Sequence, residues 1–359
     1  MATNATIRDI VNTHAESFTP DIWVDASRSH NNYFVVSEFF NKRMEGGPDA
    51  PSFTHNFKVD ESDNTVATEL YDTDSINRIN LSAKGTVEYT LQKTHYAYDE
   101  RESGINGSDP SQILKHLDMQ AADMMDGFAK KNNEWFLTLP TYPNSTNAKP
   151  WGLPYWVVKS SSTAAQDFAF NGSNPTGYSS VAGLDRTSAT YAKLKNGTAV
   201  YGALNNSDGL RKLADAVNKS NFKAPYNNKG EASTDRRYLL LSHYTPWMTY
   251  QDLLFGANDK VGTDMGKYRM ENTVTFRGVS WTWDSMLDDS TSPAYDSTEP
   301  IYGLDLNSWH AKKRGSWFMK KKTVEMSNPH NLVVVWMDSI YNFACVNPRT
   351  NFVMHKATT

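Results

Sequence analysis

The chain has 359 residues, 39% of them hydrophobic and 12% aromatic. That is enough to bury a large core and, because single cores stop growing near about 250–300 residues, to form two subdomains. A formal net charge of -4 excludes a general electrostatic drive towards nucleic acid or an anionic membrane, leaving only local patches.

The single cysteine, Cys345 in the apolar run FACV, excludes a disulfide framework and predicts a buried thiol in a strand rather than a nucleophile. Residues 1–20 have neither a basic start nor an unbroken apolar run, and no later stretch reaches 18 consecutive apolar residues. The sequence therefore reads as a soluble protein made in a reducing cytoplasm.

Taken in chain order, TIRDIVNTHAESF sets Ile7, Ile10 and Val11 on one stripe of a short amphipathic helix that ends at Pro20. This helix has no nearby partner in sequence, which predicts an N-terminal arm reaching a distant core or a neighbouring subunit. SFTHNFKVD and TVEYTLQKTHYAYDERE then alternate apolar and polar positions, with Phe53, His55, Phe57 and Val59 on one face and Val87, Tyr89 and Leu91 on one face of the other. They predict two long strands of a projecting hairpin, whose apolar face needs cover from outside because a lone hairpin is marginal in water.

At Asp109 an N-cap, Pro110 at the first helical position and Gln112 three residues on announce a long helix. Ile113, Leu114, Leu117, Ala121, Met124, Met125 and Phe128 carry its apolar stripe, and Gly127 is its one weak point. Further on, YLLLSHY predicts a buried strand, and LRKLADAVNKS and TYQDLLFGAN predict helices, so this region should be a sheet with flanking helices. HNLVVVWMDSIYNFACV, turning at Asn347 and Pro348 into TNFVMH, predicts a long hairpin whose first strand is covered on both faces.

NNEWF, KPWGLPYWVVK, FNGSNPTGYSSVAGLD, LRKLADAVNKSNFKAP, DRRYLLLSHYTPWMTYQDLLFGANDKVG, FRGVSWTW, DSTEPIYGLDLNSW and IYNFACVNPRTNFV resemble, in order and spacing, a run found in major capsid proteins of tailed double-stranded DNA bacteriophages. The resemblance implies an α+β Johnson-type fold, first described in the Hong Kong phage capsid. Its parts would be an N-terminal arm at 1–50, an extended loop at 51–100, a peripheral domain with a spine helix at 101–145 and 325–359, and an axial domain at 146–324. It implies a structural protein that self-assembles into pentamers and hexamers of an icosahedral head around DNA bound without sequence specificity. Scaffolding, portal and decoration proteins would be further partners, and the virion, assembled in the host cytoplasm, its location.

An encapsulin-type compartment shell shares that fold, and an extracellular carbohydrate-binding or hydrolase module is suggested by the tryptophans and turn-rich composition. No catalytic, metal or cofactor residue is expected: the nine histidines show no close metal spacing, and no phosphate loop or nucleophile elbow occurs. The candidate functional residues are instead contacts between subunits. They are Ile7, Ile10 and Val11 in the arm, Phe57, Tyr89 and Leu91 in the loop, Trp151 and Trp156 in KPWGLPYWVV, and Lys320, Lys321 and Lys322 in the basic run HAKKRGSWFMKKK. The tryptophans are expected to fill the domain junction or a subunit contact, and the lysines to meet acidic loops of adjacent subunits, with packaged DNA as the competing partner.

Overall fold

The computed structural model describes residues 33–59, 67, 82–99, 110–140, 149–220, 238–258, 274–326 and 332–358, with 58, 110–118, 255–258, 325 and 326 by backbone alone. In chain order the first strands are β1 (Met44–Gly47), β2 (Ser52–Lys58), β3 (Ser82–Glu88), β4 (Thr90–Asp99), β5 (Gln166–Ala169), β6 (Gly197–Tyr201) and β7 (Tyr238–Ser242). They are followed by β8 (Val274–Phe276), β9 (Val279–Trp283), β10 (Ile301–Asp305), β11 (Trp309–Arg314), β12 (Lys320–Met326), β13 (Leu332–Cys345) and β14 (Phe352–Lys356). The α-helices are α1 (Pro110–Leu137), α2 (Leu153–Trp156), α3 (Gly209–Lys219), α4 (Tyr244–Asn258) and α5 (Ser285–Asp288).

The long helix α1 starts at Pro110, where the missing N–H costs nothing, and runs about 42 Å at 1.5 Å per residue. Met124, Phe128, Asn132 and Phe136, spaced four apart, turn one buried stripe onto a five-stranded sheet, while Gly127 lies on the exposed side. That sheet runs β1-β11-β13-β12, with β4 paired to the other side of β13. A buried polar bracket fixes helix to sheet. Tyr341 on β13 donates its hydroxyl to Asn132 Oδ1 and accepts from Gln92 of β4 at 2.9 Å. Next to it Phe136 is surrounded by Phe34, Phe39, Trp309 and Phe343, with ring centroids 5.1–5.9 Å away.

A second sheet has seven strands in the order β5-β6-β14-β10-β7-β9-β8. Its central strands β6, β7 and β10 are buried along their whole length, as strands covered on both faces are. The hairpin β8–β9 closes through Arg277 and Gly278, both at positive φ, the two-residue turn whose twist suits a tight hairpin. The strand expected at YLLLSHY and the helices expected at LRKLADAVNKS before it and TYQDLLFGAN after it are present as β7, α3 and α4. Cys345 is fully buried, and burial pushes its thiol up to about 12, so it is an inert packing residue.

Three expectations need correction. The strand running through residue 89 is two strands: β3 pairs with β2, but after Tyr89 the chain joins the five-stranded sheet, where β4 pairs with β13 over ten residues. The C-terminal strands do not form one hairpin, because β13 lies in the five-stranded sheet and β14 in the seven-stranded one. β11 and β12 also pair with β13 in the five-stranded sheet, and β14 joins the sheet of residues 166–305. Nor is β13 covered on both faces throughout, although Val333 and Val334 are both buried. In its middle, Met337, Ser339 and Tyr341 on the α1 side are buried, whereas Trp336, Asp338 and Ile340 opposite are only partly buried.

Candidate functional site

The residues chosen from sequence fall into three groups. Ile7, Ile10 and Val11 lie outside the described residues. Phe57, Tyr89 and Trp156 are 5%, 8% and 1% exposed within their own chain: Phe57 and Tyr89 offer no face to a neighbour, against their reading as subunit contacts, whereas Trp156 takes the junction place that was one of its two readings. Leu91, Trp151, Lys320, Lys321 and Lys322 retain surface.

The burial of Phe57 and Tyr89 has a local cause. Hairpin β2–β3 lies on its own body instead of standing free. Thr86 N–H donates to Ala182 O at 3.0 Å, Tyr89 Oη donates to Pro48 O at 3.3 Å, and a Cβ on Gly85 would stand 2.5 Å from the Phe57 ring and 3.4 Å from Ala182. Phe53, Phe57, Val59, Val87 and Tyr89 thus join the core that also holds Phe136 and Phe343.

His55, on the same face, stacks 6.0 Å from His310, which pairs with Glu45 at 2.8 Å. Burial, then Lys312 and His310, lower the His55 pKa to about 4 against the small opposing effect of Glu45, and its Nε2 has no hydrogen-bond partner among the described residues. Unfolded, this imidazole takes its proton near 6.5; folded, only near 4. Its contribution is therefore complete above pH 6.5 and lost as pH falls from 6.5 towards 4. His55→Gln should flatten that stretch of the stability profile, read as the urea midpoint of variant and wild type between pH 7 and 4.5. Parallel profiles would mean that His55 is freely solvated.

The KPWGLPYWVV stretch is a junction. Gly152 sits so close to the end of α1 that a Cβ there would meet Phe136 O at 2.1 Å, and Trp151 N–H donates to Asn342 Oδ1 of β13 at 2.7 Å. Trp151 stacks on Tyr155 at 4.5 Å, Tyr155 Oη accepts from Ala182 N–H at 2.9 Å, and the buried Arg186 donates to Trp156 O at 2.9 Å. Burial lowers the Arg186 pKa to about 10, still well above neutrality, so the guanidinium stays charged beside the backbone carbonyl that it caps.

Sequence reasoning passed over Asn133. Fully enclosed on α1, it accepts from Val35 N–H at 3.2 Å and donates to Asp284 Oδ2 at 2.8 Å, joining the segment before β1, the long helix and the turn into α5. Burial raises the Asp284 pKa, opposed by that hydrogen bond and by the N–H of Met286. Only the NNEWF motif hinted at this residue.

The arrangement nearest to catalytic chemistry is Ser242, His243 and Asp288, and its geometry is structural. His243 Nε2 lies 3.2 Å from Asp288 Oδ1, but its Nδ1 accepts from Thr245 N–H at 3.1 Å. Ser242 Oγ donates to His243 O and accepts from Trp281 Nε1, so no hydroxyl faces the ring.

The outer face of the five-stranded sheet, away from α1, carries Leu91, Lys320 and Lys322 of the chosen residues. Cross-strand pairing sets Leu91 beside Ile340, Asp338 between Lys93 on one side and Lys320 on the other, and Trp336 between His95 and Lys322. Lys321 points to the opposite face, in register with Met337.

Against solved structures, this architecture matches the cyanophage A-1(L) capsid asymmetric unit over 97% of this chain and 99% of that one, at TM-score 0.64 and 12% identity. The chain has the capsid fold. The capsid of the native GTA particle matches over the whole of both chains at TM-score 0.54 and 11% identity, and that of Gordonia phage Cozz over 96% and 91% at 0.50 and 13%. No protein-family model and no curated protein matches the sequence. The capsid fold is the α+β Johnson type that the sequence motifs implied. At these identities the path of the chain is shared while most side chains differ.

Proposed function

We propose that this chain is the major subunit of a tailed-phage head. Copies associate into pentamers and hexamers, and these tile an icosahedral shell around double-stranded DNA. The observation that supports this best is the end-to-end match, 97% of one chain on 99% of the other, to a capsid subunit. In this reading the five-stranded sheet with α1 is the peripheral domain, the seven-stranded sheet is the axial domain, and β2–β3 with residues 60–81 is the extended loop. The work is done by surfaces and not by reacting groups, in the virion after assembly in the host cytoplasm. Scaffolding, portal and decoration proteins and packaged DNA are the further partners.

Electron microscopy of the purified protein tests the proposal. Closed shells with both pentamers and hexamers are expected; uniform small shells filled with protein cargo would favour an encapsulin-type compartment, and absence of assembly would end the shell reading. The arm supplies a second check. Ile10→Asp should leave the circular dichroism of the subunit unchanged and reduce assembly measured by sedimentation. Loss of the folded signal would place that helix in its own core instead.

A further inference from the structure

The seven-stranded sheet ends in an exposed aromatic corner. Helix α4 lies along β9, where Tyr250 stacks on Trp281 at 4.9 Å and Trp247 Nε1 donates to Trp281 O at 3.3 Å. Trp283 is in register with Ser242, the last residue of β7, and so stands where α4 begins and its cover runs out. Its ring meets Tyr244 at 5.0 Å and 67° and Trp247 at 6.2 Å and 48°, yet Trp283 stays 37% and Tyr244 36% exposed. His243, the residue before Tyr244, brings in two more groups: its Nε2 faces the exposed Asp288 carboxylate at 3.2 Å, and its ring lies 6.5 Å from that of the exposed Tyr295. Rings set at an angle beside a carboxylate fit a planar cation, which stacks on an aromatic face and pairs with the acid.

The other end of β9 carries such a cation, and at a conformational cost. The turn from β8 into β9 has φ 50° at Arg277 and 80° at Gly278, a pattern that favours Asn-Gly because both central residues are left-handed. Arginine is a poor choice for that turn, since a Cβ at positive φ strains the backbone. The side chain is exposed, its guanidinium carbon stands 6.0 Å from the ring of its own Phe276, and it pairs with no carboxylate among the described residues. We propose that Arg277 of one copy inserts into the corner formed by Tyr244, Trp283 and Asp288 of a second copy. The inference rests on the shell reading, in which copies meet repeatedly through the same surfaces. Positions 277 and 283 are about 20 Å apart at 3.3 Å per residue, beyond the reach of one side chain, so a chain does not fill its own corner. Tip and corner at opposite ends of one strand make a head-to-tail contact, which closes rings when copies repeat it.

The test is Arg277→Asn, which improves the turn while removing the cation. The urea midpoint of the free subunit should hold or rise, and the yield of closed empty shells should fall about tenfold or more. Arg277→Lys, which keeps the charge without the planar stack, should recover only part of that yield. Tyr244→Ala should lose as much, and joining it to Arg277→Asn should add little, because both remove one contact. Arg277→Cys and Tyr244→Cys placed together in one chain give direct proof: mild oxidation of assembled protein should yield reducible ladders ending at five and six copies, whereas either cysteine alone should give dimers at most. Full yield from Arg277→Asn overturns the contact, as does a fall of midpoint and yield together, which would make Arg277 a residue of its own turn. A loss confined to Tyr244→Ala also overturns it and would give the corner to a cation of another protein. So does the absence of ladders from the double cysteine chain in shells that close. Shells that ignore every change at 277 leave the shell reading intact, whereas wild-type protein that never closes shells removes that reading and the contact with it.

Discussion

Replacing Phe136 by alanine should lower the unfolding free energy by about 3–5 kcal/mol, the range for emptying a fully packed aromatic site. Phe136 is wholly buried where four elements meet: the segment of Phe34 and Phe39, helix α1, strand β11 through Trp309 and strand β13 through Phe343. The cavity cannot close easily, because its backbone is pinned from outside by Gly152 and the neighbouring Asn133 is tied to Asp284. Urea denaturation of the free subunit measures the loss. A change below about 1 kcal/mol would show that the site collapses and that the junction is softer than its geometry implies.

The same junction shows where sequence reading succeeds and stops. Helix α1 was legible because its signals are local: Pro110 starts it, and Met124 and Phe128 repeat at helical spacing. The alternation of Phe53, Phe57, Val87 and Tyr89 was also legible, and it named the buried face correctly. It could not say what buries that face, since period two is satisfied equally by a neighbour or by Ala182 of the same chain. The break at Tyr89 was hidden for a related reason: alternation continues unchanged as the partner switches from β2 to β13, and pairing is a non-local choice. At the C-terminus, Asn347 and Pro348 mark a turn correctly, yet a turn between strands of two different sheets uses the same residues as a hairpin. Asn133 and Asp284 are 151 positions apart, and no spacing rule reaches that far. Of the chosen residues, Leu91 and the three lysines keep surface and Trp156 does not; KPWGLPYWVV left two readings open because aromatics fill junctions and interfaces alike, and Trp156 packs at the junction.

Replacing residues 60–81 by a short Gly/Ser turn should leave a folded, soluble subunit and abolish closed shells. The division follows from where the hairpin is buried. Phe53, Phe57, Val59, Val87 and Tyr89 belong to the subunit's own core, and β2 pairs with β3 in unbroken register from Ser52–Glu88 to Lys58–Ser82. A two-stranded ribbon held by that core needs only a connection, and shortening the loop lowers its closure cost slightly. Removing residues 52–88 instead would strip four large apolar side chains from the core and should prevent folding. Amide exchange separates this architecture from a free-standing loop. In the unassembled subunit, exchange at Phe53, Phe57 and Val87 should already be slow, comparable with the buried half of α1, because opening these strands exposes core. Assembly should then slow exchange chiefly within residues 60–81. Fast exchange at Phe57 in the free subunit, slowing only in shells, would mean that a neighbour and not Ala182 covers the hairpin.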